Sequence, residues 1–107
     1  MKSLISKYFK AFELKKLEDL SLLFSDTVSM KDWNVNVKGK KKVILELDKI
    51  FKSIGEIKIE VKEFYENKNK AICVICITGL NSSKLNVIDI ITFNNNKKII
   101  KIDAYKQ

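Results

Sequence analysis

The chain has no histidine, no arginine and no proline, and only three glycines and two cysteines among its 107 residues. Each absence removes chemistry. Without histidine, neither a Ser-His-Asp triad nor a Cys-His pair can be assembled, and no histidine-ligated metal site can form. Without arginine there is no planar fork to hold a carboxylate or phosphate through two parallel hydrogen bonds. Without proline there is no stiff Pro-rich linker or stalk. Long apolar runs are missing as well. The most apolar stretch, Ala71 to Ile77, falls far short of the roughly 20 residues that cross a bilayer. Met1 to Tyr8 has neither the apolar core nor the small-residue cleavage site of a secretory leader. A cytoplasmic protein with no membrane partner is the expectation.

All 21 basic residues are lysine; against 13 acidic residues they give a net charge of +8. Such a charge invites a nucleic-acid reading. The distribution argues otherwise. The lysines run from Lys2 to Lys106 without a dominant cluster, and they accompany fifteen isoleucines and nine asparagines. Joint enrichment of Lys, Ile and Asn has the pattern of genome-wide nucleotide bias. No arginine is available for base edges or stacking. The charge therefore reads as a solvated surface, with no nucleic-acid partner.

With 46% hydrophobic and 32% charged residues the composition is that of an ordinary folded domain. The length suits one domain spanning 1–107. Leu4, Ile5, Tyr8, Phe9 and Phe12 recur at helical spacing and predict a first helix. Leu17, Leu20 and Phe24 predict a short second one, broken by Ser25-Asp26. Val28 to Trp33 reads as a short strand and 34–39 as a loop ending at Gly39. A third helix is expected from Lys40 to Ile54, with Gly55 as its C-terminal cap. Beyond Gly55 the period changes to two: Ile57, Ile59 and Val61 alternate with Lys58, Glu60 and Lys62. Turns at Asn67-Lys68-Asn69, Asn81-Ser82-Ser83 and Asn94-Asn95-Asn96 then separate strands Lys70–Leu80, Lys84–Phe93 and Lys98–Tyr105. Asparagine suits such turns because it tolerates left-handed backbone. Short turns demand antiparallel neighbours, and helices preceding such a sheet make an α+β fold.

Cys73 and Cys76 form a CxxC, but inside a β-branched run without a capping residue. Positions i and i+3 of a strand face opposite ways, so the pair reads as two buried structural cysteines. Three other ionisable groups stand out. Tyr8 lies on the apolar stripe of the first helix. Asp32 lies near the end of the early strand. Asp89 alternates in phase with Leu85, Val87, Ile91 and Phe93, so burial should raise its pKa.

The order of these segments resembles the ketosteroid isomerase and SnoaL-like group of the NTF2-like superfamily. Tyr8-Phe9-Lys10-Ala11-Phe12 through Lys16 to Leu20 is similar to that group's opening helix pair. Phe24 to Asp32 is similar to its "ADDATVED" passage, and Gly39 with the helix after it to its "G-x-x-x-I" start. Val87 to Phe93 and Ile99 to Tyr105 resemble its closing hairpin, "VIDVxxF…GxIxxxxAY". The resemblance implies a cone: three N-terminal helices packed in a curved, mostly antiparallel sheet that encloses an apolar pocket. It implies a tyrosine and a protonated aspartic acid, here Tyr8 and Asp89, donating hydrogen bonds to a substrate oxygen. A second aspartate, here Asp32, moves the proton. Relatives that depend on arginine or histidine, such as the limonene-epoxide-hydrolase-like and scytalone-dehydratase-like enzymes, are excluded by composition. The expected pocket lining is Phe12, Trp33, Ile72, Val74, Val87 and Ile102. No metal and no cofactor are called for. The expected partners are a small apolar carbonyl-containing ligand and a second copy of the chain, pairing through the outer face of the sheet. Two readings stay open: an isomerase or cyclase transferring a proton alpha to a carbonyl, and a non-catalytic ligand-binding or protein-interaction domain of the same fold.

Overall fold

The structure is a computed structural model and describes residues 1–79 and 83–107. It contains helices α1 (Lys2–Glu13), α2 (Leu17–Leu23) and α3 (Lys40–Ser53). The strands are β1 (Phe24–Lys31), β2 (Asn36–Lys38), β3 (Ile57–Asn67), β4 (Lys70–Gly79), β5 (Lys84–Phe93) and β6 (Ile99–Lys106). They form one open six-stranded sheet in the order β2-β1-β6-β5-β4-β3. Pairing is antiparallel except between β1 and β6, which run parallel. The architecture is α+β, with a mixed sheet.

Apolar spacing explains α1: Ile5, Tyr8, Phe9 and Ala11 are its buried residues. It closes in a Schellman motif. The Lys16 N–H donates to the Ala11 carbonyl and the Lys15 N–H to that of Phe12, with Lys15 at φ 58°. Lysine occupies the left-handed position that glycine usually takes. The same holds at the hairpin turns, where Lys68 and Lys97 have positive φ and the asparagines do not. Asn94 acts through its side chain instead: its Oδ1 accepts the N–H groups of Asn96 and Lys98. Asn81 and Ser82 of the expected turn at Asn81-Ser82-Ser83 lie outside the described residues.

Three local expectations are corrected. Phe24 does not end the second helix; it is fully buried and opens β1, which therefore starts four residues earlier than the pattern suggested and stops at Lys31. The loop at 34–39 contains β2, paired with β1 through Met30 and Val37. Gly55 does not cap α3. The helix ends because Ile54 turns extended, and the Lys15 ammonium bonds the Ile54 carbonyl. The glycine with a conformational role is Gly39, at φ 97° just before α3.

The β4–β5 register fixes the two faces of the sheet. Cys73 lies opposite Asp89, Ile75 opposite Val87 and Ala71 opposite Ile91, all facing the helices. These side chains join Tyr8, Phe9, Leu20, Val43 and Leu47 in one core. Cys76 faces the other way, opposite Asn86, so the two free thiols lie on opposite faces. Replacing Ile91, which is fully buried, with alanine should lower the free energy of unfolding by about 2–5 kcal/mol, read by urea denaturation. A loss below about 1 kcal/mol would mean that the core does not centre on β5.

Candidate functional site

Between the helices and the concave side of the sheet lies a cavity of about 870 Å³. Its wall is largely aliphatic and aromatic. Each polar group in it is placed by a different element. Tyr8 comes from the middle of α1, Asp89 from the middle of β5, and Asp32 from the first position after β1.

Asp89 is buried, 7% exposed, between Cys73 on β4 and Ala104 on β6. Its carboxyl is pushed up from 3.8 to about 7, first by loss of solvent and then by the charge of Asp32. The Tyr8 hydroxyl is raised well above 10 by burial, by the charge of Asp89 and by Cys73. The Cys73 thiol is pushed up to about 12 by burial and by Asp89, so it stays protonated and inert at neutral pH. Among the described residues neither the Tyr8 hydroxyl nor the Asp89 carboxyl makes a hydrogen bond to the protein. Neither is sealed away from the cavity: the buried side-chain polar atom without a partner is Thr92 Oγ1, on the other face of the sheet. Two donors therefore open onto one apolar space with their hydrogen-bonding capacity unspent.

Asp32 is held differently. Its Oδ1 accepts the N–H of Asn34 at 2.7 Å and that of Val35 at 2.8 Å, and its own N–H donates to the Val35 carbonyl. This tight turn fixes the side chain and occupies one oxygen. Oδ2 has no partner among the described residues. Trp33 follows at the rim, 42% exposed, with the Lys106 ammonium 5.4 Å from its ring centroid.

Phe12, Trp33, Val87 and Ile102 join Tyr8, Asp32 and Asp89 around this cavity. Ile72 and Val74 do not. They are opposite Ile90 and Ile88 on the outer face, and the wall of β4 is built from Ile75 and Ile77 instead. Both faces of β4 are apolar, so composition alone could not assign them, and a shift of one residue exchanges them. The phase of Asp89 is the signal that would have decided it. Met30, Leu47, Ile59 and Lys84 also line the cavity and were not singled out by the sequence reading. Among the described residues no group of three or more His, Cys, Asp or Glu side chains is placed to hold a metal ion. No helix there is long and apolar enough to cross a membrane.

No protein-family model and no curated protein matches the sequence. Solved structures match the fold closely. An NTF2-like protein of unknown function from Cytophaga hutchinsonii aligns over 99% of this chain and 88% of its own, with TM-score 0.82 and 11% identity. A SnoaL-like protein of unknown function from Burkholderia thailandensis aligns over 99% and 92%, with TM-score 0.84 and 12% identity. A protein with a ketosteroid isomerase-like fold from Catenulispora acidiphila, crystallised with trimethylamine, aligns over 95% and 83%, with TM-score 0.85 and 10% identity. The chain has the NTF2-like fold of these proteins. At such identities the likeness concerns the fold alone.

The raised carboxyl makes stability depend on pH. In the unfolded chain Asp89 gives up its proton near 3.8, whereas the folded protein keeps it until about 7. Between those values the folded state binds the extra proton, so stability falls as pH rises through about 7. The full effect is on the order of 4 kcal/mol. Asp89→Asn should therefore be more stable than the wild type at about pH 8, with the difference closing at about pH 4, as measured by denaturation at both pH values. Equal stabilities at the higher pH would mean that Asp89 ionises freely.

Proposed function

We propose that the protein is a cofactor-independent enzyme that moves a proton at a carbon next to a carbonyl, in the manner of an isomerase or cyclase. The observation that carries this reading is the pair of unpartnered groups, Tyr8 and Asp89, opening onto the same apolar cavity as Asp32. The carbonyl oxygen of the ligand accepts from the Tyr8 hydroxyl and from the protonated Asp89 carboxyl. Asp32 Oδ2 takes the proton from the adjacent carbon. The C–H electron pair becomes the new carbon–carbon double bond, and the carbonyl pair moves onto oxygen. The protonated Asp32 then returns the proton to the same carbon or to one conjugated with it, and the carbonyl re-forms. Nothing is oxidised and no group leaves.

The division of labour follows from the surroundings. Two fixed donors in an apolar space stabilise a developing oxyanion more than water would, and one such donor contributes about 10²–10³ in rate. With that help a carboxylate is base enough. The donor role of Asp89 needs its neutral form, so activity should decline as pH rises through about 7.

The outer face of the sheet supports a second part of the reading: the protein pairs with another copy of itself. Ile72, Val74, Ile88 and Ile90 form an apolar strip there, with exposed Tyr65 and Tyr105 beside it. Charges of both signs border the strip, among them the Lys101–Asp103 pair and Glu60. A two-fold contact matches such a patch with itself.

Conversion of β,γ-cyclohexenone to its conjugated isomer, followed by ultraviolet absorbance, tests the chemistry. Asp32→Asn should slow it by roughly 10²–10⁴-fold. The same variant should still bind β-naphthol, whose hydroxyl mimics the enolate. Binding of β-naphthol by the wild type without turnover would favour the non-catalytic domain. Light scattering tests the pairing: a dimer mass is expected for the wild type and a monomer for the Ile88→Lys, Ile90→Lys variant. A monomeric wild type would refute it.

A further inference from the structure

Glycine is scarce in this chain, and its few positions are informative. The three glycines are Gly39, Gly55 and Gly79. Gly39 has φ 97°, which favours glycine, whereas Gly55 and Gly79 do not have positive φ. The left-handed positions elsewhere are filled by Lys15, Lys68 and Lys97, at φ 58°, 58° and 63°. A chain that puts lysine where glycine is favoured thus keeps glycine at two places whose φ does not require it. What these two positions share is the cavity: both line it.

Gly79 is the last residue of β4, and its backbone is regular strand. It pairs with Ile57 on β3, and its N–H donates to the Ser83 carbonyl at 2.9 Å. Glycine weakens a strand because it packs no side chain, and it often marks a place where a ligand comes close to the backbone. The register shows where a side chain at 79 would go. Cys73, Ile75, Ile77 and Gly79 alternate on the face toward the helices, and the last three line the cavity. A Cβ at 79 would point the same way as that of Ile77, into the cavity.

Exposure rises along this row. Cys73 and Ile75 are buried, Ile77 and Gly79 half-buried; on β5, Val87 is buried and Leu85 half-buried. The cavity therefore runs along the strands toward a more open end at Gly79. From Cys73, the ladder partner of Asp89, to Gly79 is six residues, roughly 20 Å of extended strand. Gly55 borders the same end, two residues before Ile57, the partner of Gly79.

From this arrangement we infer that Gly79 is a specificity-determining residue: its missing side chain keeps the open end of the cavity clear for the apolar body of a long carbonyl substrate whose oxygen is held at Asp89. The place of the carbonyl rests on the reading of Tyr8 and Asp89 as donors. Asp89, 7% exposed and without a hydrogen bond among the described residues, leaves a partner to be supplied by the ligand. Ile57, Ile59, Ile77 and Leu85 line the way to Gly79, so each methylene of the body gains by leaving water.

The sole tryptophan, Trp33, lines the same cavity and provides the readout. The probes are methyl ketones with unbranched tails of three to thirteen carbons. Fluorescence titration of the wild type should show affinity rising about two- to four-fold with each methylene through the whole series. Gly79→Leu should match the wild type for the shortest tails, which shows the site intact, and level off for longer ones, binding the longest about ten-fold or more weakly than the wild type does. Gly79→Ala should fall between the two. Thr78→Leu, whose side chain points to the other face, should follow the wild type. A wild type whose affinity does not rise with tail length, or a folded Gly79→Leu that follows the wild type throughout, would overturn the inference. The enzymatic reading fails separately. The expected chain-length pattern without turnover of the cyclohexenone would refute catalysis and leave the passage past Gly79 in place, whereas turnover with no effect of Gly79→Leu on the series would do the reverse.

Discussion

The structure depends on one costly placement: a carboxyl, Asp89, buried in the central region of an apolar sheet with no ion pair among the described residues. An ionised group in such a place would cost several kcal/mol, and proteins commonly neutralise it instead. Here the alternation of β5 requires the placement. Val87 and Ile91, two residues to either side, are buried core residues, and turning Asp89 outward would turn both of them outward with it. The carboxyl stays inside because the strand does, and it stays largely neutral below about pH 7 because burial strips it of solvent. The fold thus keeps a protonated carboxyl at a fixed position, at a cost in stability above about pH 7.

The two aspartates of the cavity sit in unlike environments. Asp89 has apolar neighbours and no hydrogen bond. Asp32 has two backbone N–H donors on one oxygen, in a turn closed by its own N–H. Burial favours the protonated form of the first, and the turn orients the side chain of the second. Their proximity reinforces the difference, because the charge of Asp32 adds to the pressure on Asp89 to remain neutral.

Much of this was legible in the sequence, and the failures have physical causes. The phase of Asp89 against Val87 and Ile91 was plain, because a lone carboxyl in an apolar alternation leaves one choice of face. The phase of β4 was not, since Ile72 and Val74 are as apolar as Cys73 and Ile75; only pairing with β5 decides it. The parallel β1–β6 contact joins segments about seventy residues apart, and no local pattern reports it. Phe24 fitted a helical stripe but is claimed by the sheet, because extended backbone buries it completely. Gly55 looked like a cap, yet α3 stops at Ser53 where Ile54 turns extended, and the Lys15 ammonium just past α1 bonds the Ile54 carbonyl.

That excess of lysine also explains what kind of site this fold can keep. Lysine occupies even the left-handed turn positions, Lys15, Lys68 and Lys97, where each costs about 1 kcal/mol relative to glycine. Isoleucine fills much of the core. A composition so constrained leaves no histidine for general base work and no arginine for an oxyanion. A site of one phenol and two carboxyls needs neither. In the proposed chemistry it works through burial and backbone hydrogen bonds, which any sequence with the same alternation supplies. Chemistry of this type can persist while nearly every surface position drifts, because the groups that tune it are the apolar neighbours required by the core.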